Sequence, residues 1–102
     1  STMQQTVHTP NYVHIAFKGP DEAEGTVMAH LEIGIAGTTV YAAVRYLDSY
    51  ARDDGQWRIA LREMRAVHVC SWDLVASSMT DPNNVRWPGA KPAPSDFPRK
   101  TN

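Results

Sequence analysis

The sequence predicts an antiparallel sheet of about four strands with a Pro-rich tail behind it. Four segments between Val7 and Val69 alternate apolar and polar residues with the two-residue period of a half-buried strand. Clusters of Gly, Pro and Asp separate them, and five of the chain's seven prolines fall after Asp81. At 102 residues the chain is long enough for one core and one domain, with little surface to spare.

Strand one is expected from Val7 to Phe17, where Val13, Ile15 and Phe17 share one face and Tyr12, His14 and Ala16 the other. Gly19, Pro20, Asp21 and Gly25 then mark a turn or bulged hairpin, with Ala23 already entering the next strand. Strand two runs to about Gly37, setting Val27, Ala29, Leu31, Ile33 and Ile35 opposite Thr26, Met28, His30 and Glu32. Strand three is long, from about Thr38 to Arg52. Val40, Ala42, Val44, Tyr46, Asp48 and Tyr50 lie on one side of it, and Tyr41, Ala43, Arg45 and Leu47 on the other.

Asp53, Asp54 and Gly55 close a tight hairpin, Gly55 supplying the left-handed residue such loops need. Strand four follows from Gln56 to about Val69. Its alternation puts Trp57, Ile59, Leu61, Glu63, Arg65, Val67 and Val69 on one face and Arg58, Ala60, Arg62, Met64, Ala66 and His68 on the other. Residues 57–67 are also rich in helix formers, so a helix is the competing reading there; the preceding strand and tight turn favour the strand. Residues 1–80 make up the sheet portion and 81–102 an extended or irregular tail, whose Trp87 and Phe97 are expected to pack on the body or on a partner. The opening Ser1-Thr2-Met3 is left out of the fold argument, on the expectation that an expression remnant precedes a native Met3.

A three-residue loop at 53–55 places Arg52 opposite Gln56. Asp48 then faces Ala60 with Arg58 and Arg62 at the diagonals, and Tyr46 faces Arg62. On the reverse side Arg45 meets Glu63 and Leu47 meets Leu61. Opposed charges and matched apolar pairs favour this register over a one-residue slip.

The run Arg45-Tyr46-Leu47-Asp48, then Asp54-Gly55-Gln56-Trp57-Arg58-Ile59 and the following Arg62, resembles the C-terminal hairpin of the SnoaL-like polyketide cyclase group of the NTF2-like superfamily. The stretch from Val7 to Ile33 is similar to the strand pair that precedes it there, with His8 and Asn11 at positions that correspond to a His and an Asn of the family. The resemblance covers roughly residues 7 to 73. It implies an α+β, NTF2-like (cystatin-like) fold: a strongly curved antiparallel sheet of about four strands forming a cone around an apolar pocket. Such folds host isomerases, dehydratases, cyclases and non-catalytic binding modules alike. Family members also carry N-terminal helices that cover the concave face, and this chain starts almost directly at the sheet. Those helices either lie outside the sequence given or are replaced by another subunit. An uncovered apolar face leads to the expectation of a homo-oligomer, a dimer or higher.

Charge narrows the partners. With 10 Lys and Arg against 11 Asp and Glu, the net charge of -1 offers no attraction for nucleic acid or an anionic membrane. The single Cys70 cannot form an internal disulfide, and no apolar run approaches the roughly 20 residues of a membrane span, so a cytoplasmic setting is expected. No phosphate-binding Gly loop and no nucleophile elbow appears, and the expectation is a protein without cofactor. His68 and Cys70 share a strand face, but no spacing repeats as a zinc signature, and no metal site is expected.

Two roles are open for Asp48. It is either a pocket-facing general base beside Tyr46 and Tyr50, or one half of a cross-strand ion pair with Arg62 or Arg58. In the catalytic reading His8 is the acid or proton shuttle and Tyr46 orients the substrate or donates to a developing oxyanion. Asn11, His30, Tyr50, Arg62 and Trp72 are the expected ligand-binding residues, with Glu32 beside His30 able to tune it. The expected ligand is a compact apolar or aromatic small molecule, and the expected chemistry isomerisation, dehydration or ring closure. The rival is a non-catalytic ligand-binding or assembly module of the same fold, or a fragment whose pocket needs further residues.

Overall fold

The computed structural model describes residues 3–96. Its strands are β1 (Met3–Gly19), β2 (Glu22–Ile35), β3 (Thr38–Asp53) and β4 (Gln56–Ser71), followed by a 3-10 turn at Trp72–Leu74 and a one-turn helix α1 (Val75–Ser78). The four strands form one antiparallel sheet in chain order, β1-β2-β3-β4. Residues 57–67 are therefore strand: pairing with β3 along their length outweighs the helix preference of their side chains. Phe97 and Pro98 lie outside the described residues.

Both β2–β3 and β3–β4 turn through two residues whose φ angles are positive, Ala36 and Gly37 at 51 and 77°, Asp54 and Gly55 at 52 and 75°. Two left-handed residues in succession give the loop whose twist matches that of the flanking strands. Asp53 thus belongs to β3 and pairs with Gln56, so the β3–β4 loop is one residue shorter than the expected 53–55. Two bulges then interrupt this ladder. Ala60 stands unpaired between Ile59↔Tyr50 and Leu61↔Ser49, and Val67 between Ala66↔Val44 and His68↔Ala43.

The expected pairs Asp48–Ala60, Tyr46–Arg62, Arg45–Glu63 and Leu47–Leu61 do not form. Instead Asp48 stands opposite Arg62, Tyr46 opposite Met64, Leu47 opposite Glu63 and Arg45 opposite Arg65. Each bulge also flips the phase of β4. One sheet face consequently collects Trp57, Ile59, Arg62, Met64, Ala66 and Val69, which simple alternation divided between two.

Opposite them on that face lie the even-numbered residues of β3 and the odd-numbered residues of β2, locked in one register from Glu22↔Ala51 to Ile35↔Thr38. The core occupies the half of this face nearest the β2–β3 loop: Ala29, Leu31, Ile33, Ile35, Val40, Ala42, Val44 and Val69, joined by Val85 from the segment after α1. Trp87 and Ala93 pack against the same cluster. That segment is held by Val69 N–H donating to the Asn84 carbonyl and Arg86 N–H to the Val69 carbonyl, both at 2.9 Å. Farther along, the Asp96 N–H donates to the Ala66 carbonyl at 2.9 Å, and its carboxylate accepts from Arg65 at 3.0 Å. Arg45 donates to the Asp96 carbonyl, so two arginines that face one another across the ladder share a tail residue, while Glu63 pairs with Arg65 and not with Arg45.

The other half of the face, toward the β1–β2 and β3–β4 turns, has no such cover. Val13, Ile15, Phe17, Ile59 and Met64 are exposed there, Phe17 to 71%. Among the described residues no helix is long and apolar enough to cross a membrane.

Candidate functional site

The boundary between the covered and uncovered halves carries a continuous polar row. Asp48 is its centre. Strand pairing sets it directly opposite Arg62, whose Nε donates to Oδ1 and Nη2 to Oδ2, both at 2.8 Å. The Tyr50 hydroxyl, two residues along β3 and hence on the same face, donates to Oδ2 at 2.7 Å. Asp48 keeps no exposed side-chain surface, whereas the Arg62 side chain is 36% exposed. The Arg62 hydrogen bonds hold the Asp48 carboxyl below the usual carboxylate range, against the opposing effect of burial, and Tyr50 adds to the lowering. Burial, and then Asp48, push the Tyr50 phenol up.

Arg62 also reaches sideways. Its guanidinium carbon lies 4.4 Å from the centre of the Tyr46 ring, a cation–π contact made possible because Tyr46 sits diagonal to it. The Tyr46 hydroxyl in turn lies 3.0 Å from His8 Nε2 on β1, a hydrogen bond in either tautomer. His8, Tyr46, Arg62, Asp48 and Tyr50 thus form one chain of contacts across the sheet, and His8 at its end is exposed.

Beside this row, toward the turns, lies a cleft of about 380 Å³ lined by Ile15, Phe17, Ala23, Tyr50, Trp57, Arg58 and Ile59. Phe17 and Trp57, from the two outer strands, meet edge to face at 5.8 Å. Tyr50 belongs to both features: its ring walls the cleft and its hydroxyl binds Asp48.

The remaining expected ligand residues lie elsewhere. Asn11, His30 and Trp72 are on the opposite face. His30 Nδ1 donates to Asn11 Oδ1, and its ring stacks on Tyr41 at 5.8 Å. Trp72 meets Tyr41 edge-on at 5.6 Å. Glu32 acts on Tyr41, whose phenol is raised first by burial and then by Glu32 and Cys70. Behind them the buried His68 shares a hydrogen bond of 2.8 Å with Ser78 of α1, and burial followed by His30 holds its imidazole below the ordinary range. This second cluster docks the short helix on the sheet. Among the described residues no three His, Cys, Asp or Glu side chains are grouped as a metal site.

Sequence reasoning missed Gly25, Trp57 and the cleft. The three-residue loop expected at 53–55 puts Trp57 on the wrong face, since the actual loop is one residue shorter, and the turn reading of Gly25 overlooks its place inside β2.

A family model described as a SnoaL-like domain matches residues 1–63. Neither the search of curated proteins nor that of solved structures returns a match.

Proposed function

The chain belongs to the SnoaL-like domain family, whose model spans residues 1–63, and on that premise we propose that it binds a compact apolar or aromatic small molecule in the cleft beside Asp48. The observation that carries the reading is Tyr50. One side chain is both a wall of an apolar cleft and a donor to a buried carboxylate, so a ligand held by Phe17, Trp57 and Ile59 has its inner end against a fixed polar row. The Phe17–Trp57 contact across two intervening strands supports the strongly curved, cone-like sheet expected of the family.

In this reading Asp48 is the anchor of the row. A carboxylate with three donors at 2.7 to 2.8 Å has its lone pairs engaged and is a weak proton acceptor, so it serves by holding Arg62 over Tyr46. Cofactor-independent acid/base chemistry, such as isomerisation, dehydration or ring closure, is assigned to the exposed His8 and to Tyr46. The 3.0 Å contact between them lets a proton pass or an oxyanion be met. The exposed apolar half of the face supports assembly as a homo-oligomer, with 81–102 acting as a tail to a 1–80 sheet portion. A cytoplasmic setting for the buried, unpaired Cys70 completes the proposal.

The test is a fluorescence titration with the neutral aromatic probe N-phenyl-1-naphthylamine. Saturable binding that Phe17→Ala and Ile59→Ser weaken while Leu61→Ser, on the opposite face, leaves unchanged is expected. Equal binding by all three variants would sink the assignment of the cleft.

A further inference from the structure

We infer that Gly25 is a specificity-determining residue of this cleft: the space left by its missing side chain is the seat of the Tyr50 ring, and that seat fixes both the cleft's inner wall and the third donor to Asp48. The inference rests on the cleft being the binding site and adds to it a residue with no side chain of its own.

The geometry is restrictive. A Cβ at position 25 would stand 2.7 Å from Tyr50 Cε2, 3.0 Å from its hydroxyl oxygen and 3.1 Å from the His14 carbonyl oxygen. β2 cannot back away, because it is paired on both sides there, with Ile15 in β1 and Asp48 in β3. What yields is therefore Tyr50, a side chain with two rotatable bonds. The open space beside it is the cleft that it walls. Lifting the ring takes its hydroxyl off Asp48 Oδ2 and narrows the space beside Phe17 and Trp57 at the same time. At Gly19, also within a strand, an added Cβ meets nothing within 4 Å. Gly25 thus acts on the ligand site only through Tyr50, as a positioning residue.

Three measurements on the whole chain decide the matter. The first is spectrophotometric titration of the phenols in a Tyr41→Phe background, which removes the other late-titrating tyrosine. The parent should show one phenol ionising above the ordinary value of about 10, and Gly25→Ala should return it toward that value, as Tyr50→Phe should remove it. The second is a double-mutant cycle. Gly25→Ala should lower the denaturation midpoint in the parent, and clearly less in a Tyr50→Ala background, where the seat is vacant and only the His14 carbonyl contact remains. If Gly25→Ala alone fails to fold, recovery of folding in the Gly25→Ala/Tyr50→Ala chain carries the same conclusion. The third is N-phenyl-1-naphthylamine binding, which Gly25→Ala should weaken several-fold. Equal losses in both backgrounds of the cycle, or an unshifted phenol, would overturn the inference. Failure of the unmodified chain to bind the probe would instead remove the binding-site reading, while the titration and the cycle still judged the Gly25–Tyr50 relation.

Discussion

Asp48 and Arg62 stand directly opposite one another in β3 and β4 and are joined by two hydrogen bonds of 2.8 Å, one from Nε and one from Nη2. The pair is asymmetric: the carboxylate is wholly covered, and more than a third of the arginine side chain is open to solvent.

That asymmetry sets the cost of breaking it. Asp48→Asn leaves the arginine able to rehydrate, so the loss should be about 2–3 kcal/mol, below the 3–5 of a fully buried pair. Replacing both partners, as Asp48→Leu with Arg62→Met, should recover much of it, because no charge is then stranded. Urea unfolding of the three variants checks both; a double variant weaker than Asp48→Asn would contradict the argument.

Acid should destabilise the fold in two steps. His68 has a folded pKa below its ordinary 6.5, so the unfolded chain takes up a proton first; stability is complete above that pH and erodes as pH falls from there through the folded value. Asp48, likewise lowered from 3.8, adds a second loss that begins near that value and continues below it. His68→Gln should abolish the upper step and Asp48→Asn should reduce the lower one, to which the similarly lowered Asp81 also contributes, read from unfolding midpoints across pH 7 to 2.

Ala36 occupies a left-handed position with φ of 51° that costs a residue with a Cβ roughly 1–2 kcal/mol. Asn tolerates that region better, so Ala36→Asn should raise stability by about 0.5–1 kcal/mol. At its neighbour Gly37, Ala should lower stability by a similar amount. Thermal melts of the two variants moving in the same direction would refute the turn assignment.

The segment after α1 is fastened by burial more than by charge. Val85→Ala removes two buried methyls from the core cluster and should cost about 1–2 kcal/mol. Asp96→Ala breaks an ion pair whose partners are open to water and should cost less than Val85→Ala. Hydrogen exchange at the Val69 amide, which donates to Asn84, reports on the same docking and should speed up in Val85→Ala only.

The strands were legible because alternation and turn chemistry agree at each boundary, from the Ala36-Gly37 turn to Asp54-Gly55. Pairing across β3 and β4 was not, since Ala60 and Val67 look like ordinary members of an alternating run and only the sheet reveals them as extra residues. The common face of Tyr46, Asp48 and Arg62 could nevertheless be read. A loop one residue shorter than expected and a bulge one residue longer each reverse the face of β4, and at Arg62 the two reversals cancel. At Trp57 and Ile59, ahead of the bulge, only the first has acted, so these residues land on the face from which the sequence excluded them. The contact of Tyr50 with Gly25 joins residues 25 apart in number through side-chain volume alone, which no periodicity encodes.

β1 is one of the two outer strands of the sheet, and along it Pro10 is followed by Asn11, which stands outside the ladder. Proline has no amide hydrogen to offer, and a bulge bends the strand that carries it. Together they interrupt one of the sheet's two rims, while the β4 rim is occupied at Ala66 and Val69 by the segment after α1, so strand addition along β1 is disfavoured and association face to face is favoured. Pro10→Val should restore that rim, and concentration-dependent light scattering with thioflavin binding would register the resulting fibrils.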